Sequence, residues 1–105
     1  MHIQIVNFNL KGLSDQEFRK FGEETAATFA ALPGLISKVY LADPATNTYG
    51  GVYTWRSRAD MENYLKTDLY KGLVNHPNLE NVTSRDFGVI EAPTRIARGL
   101  VAVAT

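Results

Sequence analysis

The sequence predicts an α+β fold of the ferredoxin-like βαββαβ type, with helices on one face of a four-stranded antiparallel sheet. Four segments have strand character, two have amphipathic helical spacing, and the strands are apolar on both sides. A chain of 105 residues can bury one core, so we expect a single domain over residues 1–105. Because two helices cover only one sheet face, the second apolar face predicts a homodimer.

The first strand is predicted at residues 2–9 and has apolar side chains on both faces. Ile3 and Ile5 lie on one side, and Val6 and Phe8 lie on the other, because successive strand residues point to opposite faces. A strand of this kind usually lies inside a sheet that is covered on both sides.

The first helix is predicted to begin after Ser14. Glu17 follows three residues later, which is the pattern of a capping box. The helix ends at Pro33-Gly34. Apolar and small residues recur at helical spacing in between, at Phe18, Phe21, Gly22, Thr25, Phe29 and Leu32. These features predict one amphipathic helix.

The second and third strands are predicted at residues 35–42 and 49–56. The turn-forming residues 43–47 join them as a hairpin. One face of the third strand carries large aromatic side chains, with Tyr49, Gly51, Tyr53 and Trp55 on that face and Val52 on the other. Both strands therefore belong inside the sheet.

A second helix is predicted after Ser57, which Asp60 follows at the capping distance, and it ends at His76-Pro77. Its apolar stripe consists of Met61, Leu65, Leu69 and Leu73. The fourth strand is predicted at residues 81–90. The C-terminal tail, about residues 93–105, either adds a strand to the sheet edge of a partner subunit or frays.

Composition argues against several classes of function. Eleven basic and eleven acidic residues give no net charge, which disfavours nucleic-acid binding. No apolar run approaches a membrane span, and no secretory signal pattern is present, so we expect a cytoplasmic protein. The absence of cysteine excludes thiolate metal sites. With two histidines and no nucleotide-binding loop motif, we predict neither a metal site nor a nucleotide cofactor.

Four blocks occur in a specific order and spacing. They are Pro33-Gly34-Leu35 continuing to Lys38-Val39-Tyr40, residues 49–55 (YGGVYTW), residues 63–66 (NYLK), and Asp86-Phe87 with Ala92-Pro93-Thr94. Over nearly all of residues 3–99 these blocks resemble the YdhR-type monooxygenase family. The resemblance implies a monooxygenase of the dimeric α+β barrel superfamily, in which ferredoxin-like protomers pair through their sheets. Antibiotic-biosynthesis and quinol monooxygenases and haem-degrading enzymes are its relatives.

Together with the lack of a predicted metal or nucleotide site, the resemblance implies a monooxygenase that works without a cofactor and acts on a small aromatic or quinol-like substrate in an apolar pocket. Such a substrate, once deprotonated, passes an electron to dioxygen itself, and the protein supplies hydrogen bonds to the oxyanion and a base. Asn7 and Asn9 are candidate donors, or structural amides. His76 is the candidate histidine base, or an exposed capping residue.

Four aromatic residues are candidates for substrate binding: Tyr40, Tyr53, Trp55 and Tyr64. Trp55 either forms a wall of the pocket or serves core packing alone, and the tyrosines carry the same two alternatives.

Three other functions compete with this one. A non-catalytic module for ligand binding or stress response is the main alternative on the same dimeric scaffold. Haem binding is weaker, because Tyr64 replaces the tryptophan of the haem-degrading relatives, Val74 stands at their histidine position, and His76 is two residues away from it. RNA-recognition motifs share the βαββαβ order, but the sequence lacks their basic charge.

Overall fold

A computed structural model describes residues 1–100 of the chain. The elements follow the order β1 (His2–Leu10), α1 (Asp15–Ala30), β2 (Leu35–Asp43), β3 (Thr48–Trp55), α2 (Arg58–Leu65), α3 (Asp68–Val74), β4 (Leu79–Gly88) and α4 (Glu91–Ile96), with a short 3₁₀ turn at Pro44–Thr46. The four strands form one antiparallel sheet in the order β2-β3-β1-β4. The predicted ferredoxin-like fold is therefore confirmed, whereas the pairing of two copies stays a prediction.

The two faces of the sheet have different surroundings. On the inner face, Val6, Phe8, Tyr53 and Trp55 are all buried in the core with the helices. On the outer face, Ile5 of β1 lies beside Val52 of β3, which in turn lies beside Val39 of β2. The chain leaves Val39 56% exposed. The helices thus cover one face, as the sequence predicts.

The capping box at the start of α1 is confirmed. The Ser14 hydroxyl accepts a hydrogen bond from the Glu17 backbone N–H at 3.0 Å, and the Glu17 carboxylate accepts one from the Ser14 N–H at 2.9 Å. Hydrogen bonds from Ser14 lower the pKa of Glu17. Two backbone donors that have no partner within the helix are satisfied in this way.

Replacing Ser14 by alanine should lower the free energy of unfolding by about 1 kcal/mol, because one N-terminal donor of α1 loses its partner. Urea denaturation followed by circular dichroism measures the change. Ser14→Asp is the matched control, since aspartate also caps helices and should leave the stability nearly unchanged. Equal stability of the wild type and the alanine variant would contradict the role of the cap.

The prediction of one continuous second helix is wrong, because the segment forms two helices that are separated at Lys66-Thr67. The Thr67 hydroxyl accepts from the Tyr70 N–H at 3.2 Å and donates to the Tyr64 carbonyl at 2.6 Å. Thr67 therefore ends α2 and caps α3, with Asp68 in the first turn of α3.

The fourth strand begins and ends two residues earlier than the predicted range 81–90. A bulge in β4 between Glu80 and Thr83, the partners of Asn9 and Asn7, shifts the register, and Asn81 within it has a φ of 56°. The predicted C-terminal tail begins inside the short helix α4, so residues 93–96 are helical. Residues 101–105 lie outside the described residues, and the extension of the tail onto a partner subunit stays a prediction. No helix in the described part of the chain is long and apolar enough to cross a membrane.

Candidate functional site

A cavity of about 290 Å³ lies between the inner face of the sheet and helices α1 and α3. Its lining is mostly aromatic and aliphatic. The lining residues are Phe8, Phe18, Phe21, Thr25, Phe29, Lys38, Tyr40, Gly50, Tyr53, Asp68, Leu69, Gly72, Leu73, His76 and Leu79. Its few polar groups stand out against apolar walls, which is typical of sites for small organic ligands.

The aromatic wall of the cavity depends on the sheet-facing side of α1. Phe18 packs edge-on against Phe8 of β1, with ring centroids 5.6 Å apart, and Phe29 lies 6.1 Å from the ring of Tyr53. Both phenylalanines are buried because the helical spacing brings them to the same side as Gly22. Edge-to-face packing of this kind holds the rings in defined positions.

Lys38 is the unusual member of this lining. It lies on β2, and its Nζ is 3.1 Å from the ring centroid of Phe29, 4.0 Å from that of Tyr40 and 4.8 Å from that of Tyr53. Within residues 1–100, Lys38 forms no salt bridge and its Nζ has no hydrogen-bond partner. Burial lowers the pKa of Lys38 to about 7, since the partly buried ammonium is less well solvated than in bulk water. A substantial fraction of Lys38 is therefore a neutral amine at neutral pH.

His76 reaches the cavity from the end of α3. Its Nδ1 accepts a hydrogen bond from the Asn78 backbone N–H at 3.0 Å, and its ring meets that of Phe21 at a centroid distance of 6.1 Å. A neutral imidazole whose Nδ1 accepts carries its proton on Nε2. This tautomer makes neutral His76 a hydrogen-bond donor at Nε2.

The phenol of Tyr53, which lines the cavity, pairs with that of Tyr64, with their oxygens 3.4 Å apart. Burial is the main cause that raises the pKa of Tyr64 to about 12 and raises that of Tyr53 further. Both phenols stay neutral at physiological pH, so neither of them is a base.

The predicted aromatic residues occupy two layers. Tyr40 and Tyr53 line the cavity together with His76. Trp55 and Tyr64 lie behind them in the core, where the Trp55 ring stacks on Tyr53 at 6.0 Å and lies 5.2 Å from Tyr64. The indole N–H of Trp55 donates to Gln4 at 3.0 Å, and Trp55 is fully buried. Trp55 and Tyr64 therefore support the cavity wall without lining it.

The structure does not bring Asn7 and Asn9 to the cavity. Both alternate with Val6 and Phe8, whose side chains face the helices, so the two amides point to the outer face of the sheet. The Asn9 amide donates to the Asn47 carbonyl at 2.7 Å, and the Asn7 amide lies 3.5 Å from the Tyr49 carbonyl. The expectation that they act as donors in the pocket is corrected accordingly.

Sequence reasoning missed Lys38, although a signal was present. Tyr40 was a candidate for the pocket, and residues two apart on a strand share a face. A lysine two residues before it on the same strand therefore shares a face with this candidate. Asp68 was missed as well; it lines the cavity from the first turn of α3, which begins after the break in the predicted helix.

A metal site is not evident in the described part of the chain, where no three His, Cys, Asp or Glu side chains converge. His76 and Asp68 are the metal-binding residue types that line the cavity. Two such groups fall short of the three protein ligands that catalytic zinc sites use.

The comparisons with known proteins agree with this architecture. A family model described as "Putative mono-oxygenase ydhR" matches residues 3–100. No protein of curated function matches the chain.

Three solved structures have the same fold. SnoaB of Streptomyces nogalater, a cofactor-independent oxygenase, is 21% identical with a TM-score of 0.65 over 86% of this chain and 94% of SnoaB. The haem degrader MhuD of Mycobacterium tuberculosis, with two haems bound, is 16% identical with a TM-score of 0.68 over 86% of this chain and 96% of MhuD. A "putative antibiotic biosynthesis monooxygenase" of Deinococcus radiodurans is 14% identical with a TM-score of 0.68 over 88% and 95%.

Proposed function

Because the chain belongs to the ydhR mono-oxygenase family, we propose that its cavity binds a small aromatic or quinol-like substrate and oxygenates it without a bound cofactor. The observation that carries this proposal is the cavity itself. Phenylalanine and tyrosine rings surround about 290 Å³ of space, and Lys38, His76 and Asp68 are ionisable side chains in its lining. A planar, electron-rich ring with one or two oxygens fits such a lining.

The chemistry requires little from the protein. A deprotonated, electron-rich phenol or enol passes an electron to dioxygen, and the resulting radicals combine. When a ring methylene becomes a carbonyl, one oxygen atom enters the product and the other leaves as water, so CH₂ and O₂ give C=O and H₂O. The substrate supplies all the electrons. An apolar enclosure and fixed donors toward the developing oxyanion are the remaining requirements.

His76 acts as one of these donors in the proposal, from Nε2 toward a substrate oxygen. The hydrogen bond from the Asn78 N–H to Nδ1 fixes the ring and its tautomer. Tyr40 and Tyr53 contact the substrate ring, and Trp55 and Tyr64 hold Tyr53 in place.

Oxygen uptake with a panel of hydroquinones, anthrones and flavonols tests the proposal. We expect at least one compound to be consumed above the buffer rate, and His76→Phe to lower that rate about tenfold, the effect of losing one donor. Lys66→Met, at an exposed position, is the control and should keep the wild-type rate. Binding of at least one compound with no turnover of any compound in the panel would contradict an oxygenase and support the non-catalytic binding module.

The residues of the cavity do not fit a haem. A histidine ligates iron through a ring nitrogen that has a free lone pair. In His76 the lone pair of Nδ1 accepts the hydrogen bond from the Asn78 N–H, and Nε2 carries the proton, so neither nitrogen is free to ligate. A haem titration should therefore show no Soret shift at micromolar haem, and a saturable shift would contradict this.

The outer sheet face supports a homodimer as part of the proposal. Its central apolar residues are Ile3, Ile5, Val39, Val52 and Phe87. Val39 is 56% and Phe87 48% exposed in the single chain, and apolar strand residues of this kind usually pack against a second sheet. Light scattering after size-exclusion chromatography should give twice the chain mass of 11.7 kDa. A monomer at micromolar concentration would contradict the pairing.

A further inference from the structure

We propose that Lys38 accepts the proton of the substrate hydroxyl and then binds the resulting oxyanion, so that the ligand is an acidic phenol or enol. This inference rests on the proposed function, because it assigns a substrate class to the same cavity. Neither the family match nor the structural neighbours assign a role to this lysine.

The position of Lys38 is the first argument. Its side chain extends along the inner face from β2 and ends among three aromatic rings, with the Nζ closest to Phe29 at 3.1 Å from the ring centroid. Aromatic faces attract an ammonium group, but they supply no counter-charge. Asp68 lines the same cavity, yet no carboxylate of residues 1–100 lies within 4.0 Å of the Nζ. The protonated amine thus lacks an anionic partner, which a bound oxyanion would provide.

Most of the groups that surround Lys38 are uncharged aromatic or hydroxyl side chains. Helix α1 presents uncharged Thr25 and Phe29, β2 presents Tyr40, and β3 presents Tyr53, whose pKa is raised by burial. Helix α3 presents Asp68 at its first turn, and His76 follows this helix with its proton on Nε2.

The protonation state of Lys38 agrees with this role. Burial lowers its pKa to about 7, so the neutral amine is available at physiological pH. A base whose pKa lies near the working pH is well matched to proton transfer.

The proton transfer is balanced within the cavity. The O–H bond of the substrate breaks, its proton moves to the lone pair of the Lys38 Nζ, and the oxygen keeps the electron pair. A neutral amine and a neutral phenol become an ammonium and a phenolate, and the net charge of the cavity does not change. In a site with little water the two opposite charges attract strongly. The phenolate is the form that gives an electron to dioxygen.

Binding of two chromophoric ligands tests the role of the charge. The phenolate of 4-nitrophenol is yellow and its acid form is nearly colourless, whereas 4-nitroanisole has the same shape and no acidic proton. We expect the wild type to bind 4-nitrophenol as the phenolate, at least about tenfold more tightly than 4-nitroanisole, and Lys38→Met to abolish this preference. Lys20→Met, an exposed lysine on α1, is the matched control and should retain it.

The variant Lys38→Arg distinguishes two roles of Lys38, accepting a proton and supplying a positive charge. At about pH 8 most 4-nitrophenol in solution is already ionised, whereas Lys38 is mostly neutral, so binding to the wild type should take up about one proton. Arginine stays charged and should bind the phenolate with no proton uptake. Isothermal titration in buffers with different ionisation enthalpies measures this number. Equal proton uptake by the wild type and Lys38→Arg would overturn the proton-acceptor role.

The outcomes distinguish the two proposals. If the wild type binds both ligands with equal affinity, the role of Lys38 is overturned and the aromatic cavity stands. If neither ligand binds to the wild type, both the cavity proposal and the role of Lys38 fail. If binding follows the expected pattern but oxygen uptake is absent with every compound of the panel, the substrate class is supported and oxygenation fails.

Discussion

Replacing Trp55 by alanine is expected to lower the free energy of unfolding by about 3 to 5 kcal/mol. Trp55 is fully buried, stacks on Tyr53 with an interplanar angle of 1°, and packs against Tyr64. Alanine leaves a large cavity behind the wall of the binding site, and the neighbouring rings can fill it only in part. Since domains of this size are stable by about 5 to 15 kcal/mol, the loss is a large fraction of the total stability.

A polar contribution adds to this loss. The Gln4 side chain is fully buried, and its carbonyl oxygen accepts the indole N–H of Trp55 at 3.0 Å, while its amide donates to Ser84 at 2.9 Å. Without the indole, this carbonyl oxygen has lost its partner in a site with little water, which costs about 1 to 3 kcal/mol. Trp55→Ala therefore combines a cavity with an unsatisfied acceptor.

Urea denaturation followed by far-ultraviolet circular dichroism measures the change, because the variant lacks the only tryptophan. Trp55→Phe is the matched comparison: it keeps an aromatic ring and removes the N–H, so its loss should be about half as large. In Gln4→Leu the acceptor is absent, and adding Trp55→Phe to it should cost less than in the wild-type background. A loss below about 1 kcal/mol for Trp55→Ala would show that the core does not depend on this ring.

The sequence was sufficient for the fold because local and long-range signals agree. Alternation in β1 and β3, the Ser14 and Glu17 capping box, and the turn before β3 each predict the element that forms. The break at Thr67 was missed because the apolar stripe continues through it. Threonine followed by aspartate is a helix start, but periodicity alone does not show that a new helix begins there.

The candidate site was less predictable, because it depends on which sheet face the helices cover. Alternation already separated Asn7 from Val6 and Phe8, but either face could have held a cavity. Lys38 was missed for a related reason. A lysine in a strand usually marks an exposed position, and only the packing of Phe29 against β2 shows that its amine is enclosed. Such exceptions to local rules tend to occur at functional sites.

The stability of the protein should rise with pH above neutrality because of Lys38. Its pKa is about 7 in the folded chain and about 10.4 in an unfolded one. Below pH 7 both states are protonated, and the folded state bears the full cost of enclosing an ammonium. Between these two pKa values the folded state releases the proton that the unfolded state keeps, so the free energy of unfolding increases by at most about 1.4 kcal/mol per pH unit.

The difference between the wild type and Lys38→Met isolates this contribution. Methionine has a similar shape without a charge, so the variant should be more stable than the wild type at pH 6, and the gap should shrink by about 2 kcal/mol by pH 9. Partial exposure of the side chain keeps the change below the maximum. The two proteins differ only at residue 38, so contributions from the rest of the chain cancel in the difference. Lys20→Met should follow the wild type throughout.

This stability measurement also bears on the proposed chemistry. Enclosing an unpaired ammonium destabilises the folded protein. A bound oxyanion removes part of this cost, because the anion supplies the partner that the enclosed charge lacks. Phenolate binding should therefore raise the free energy of unfolding of the wild type more than that of Lys38→Met. This difference should be largest at pH values at which Lys38 is protonated in the free protein. If the gap between the two proteins is constant from pH 6 to 9, the lysine is solvated as in water, and its assignment as the proton acceptor fails.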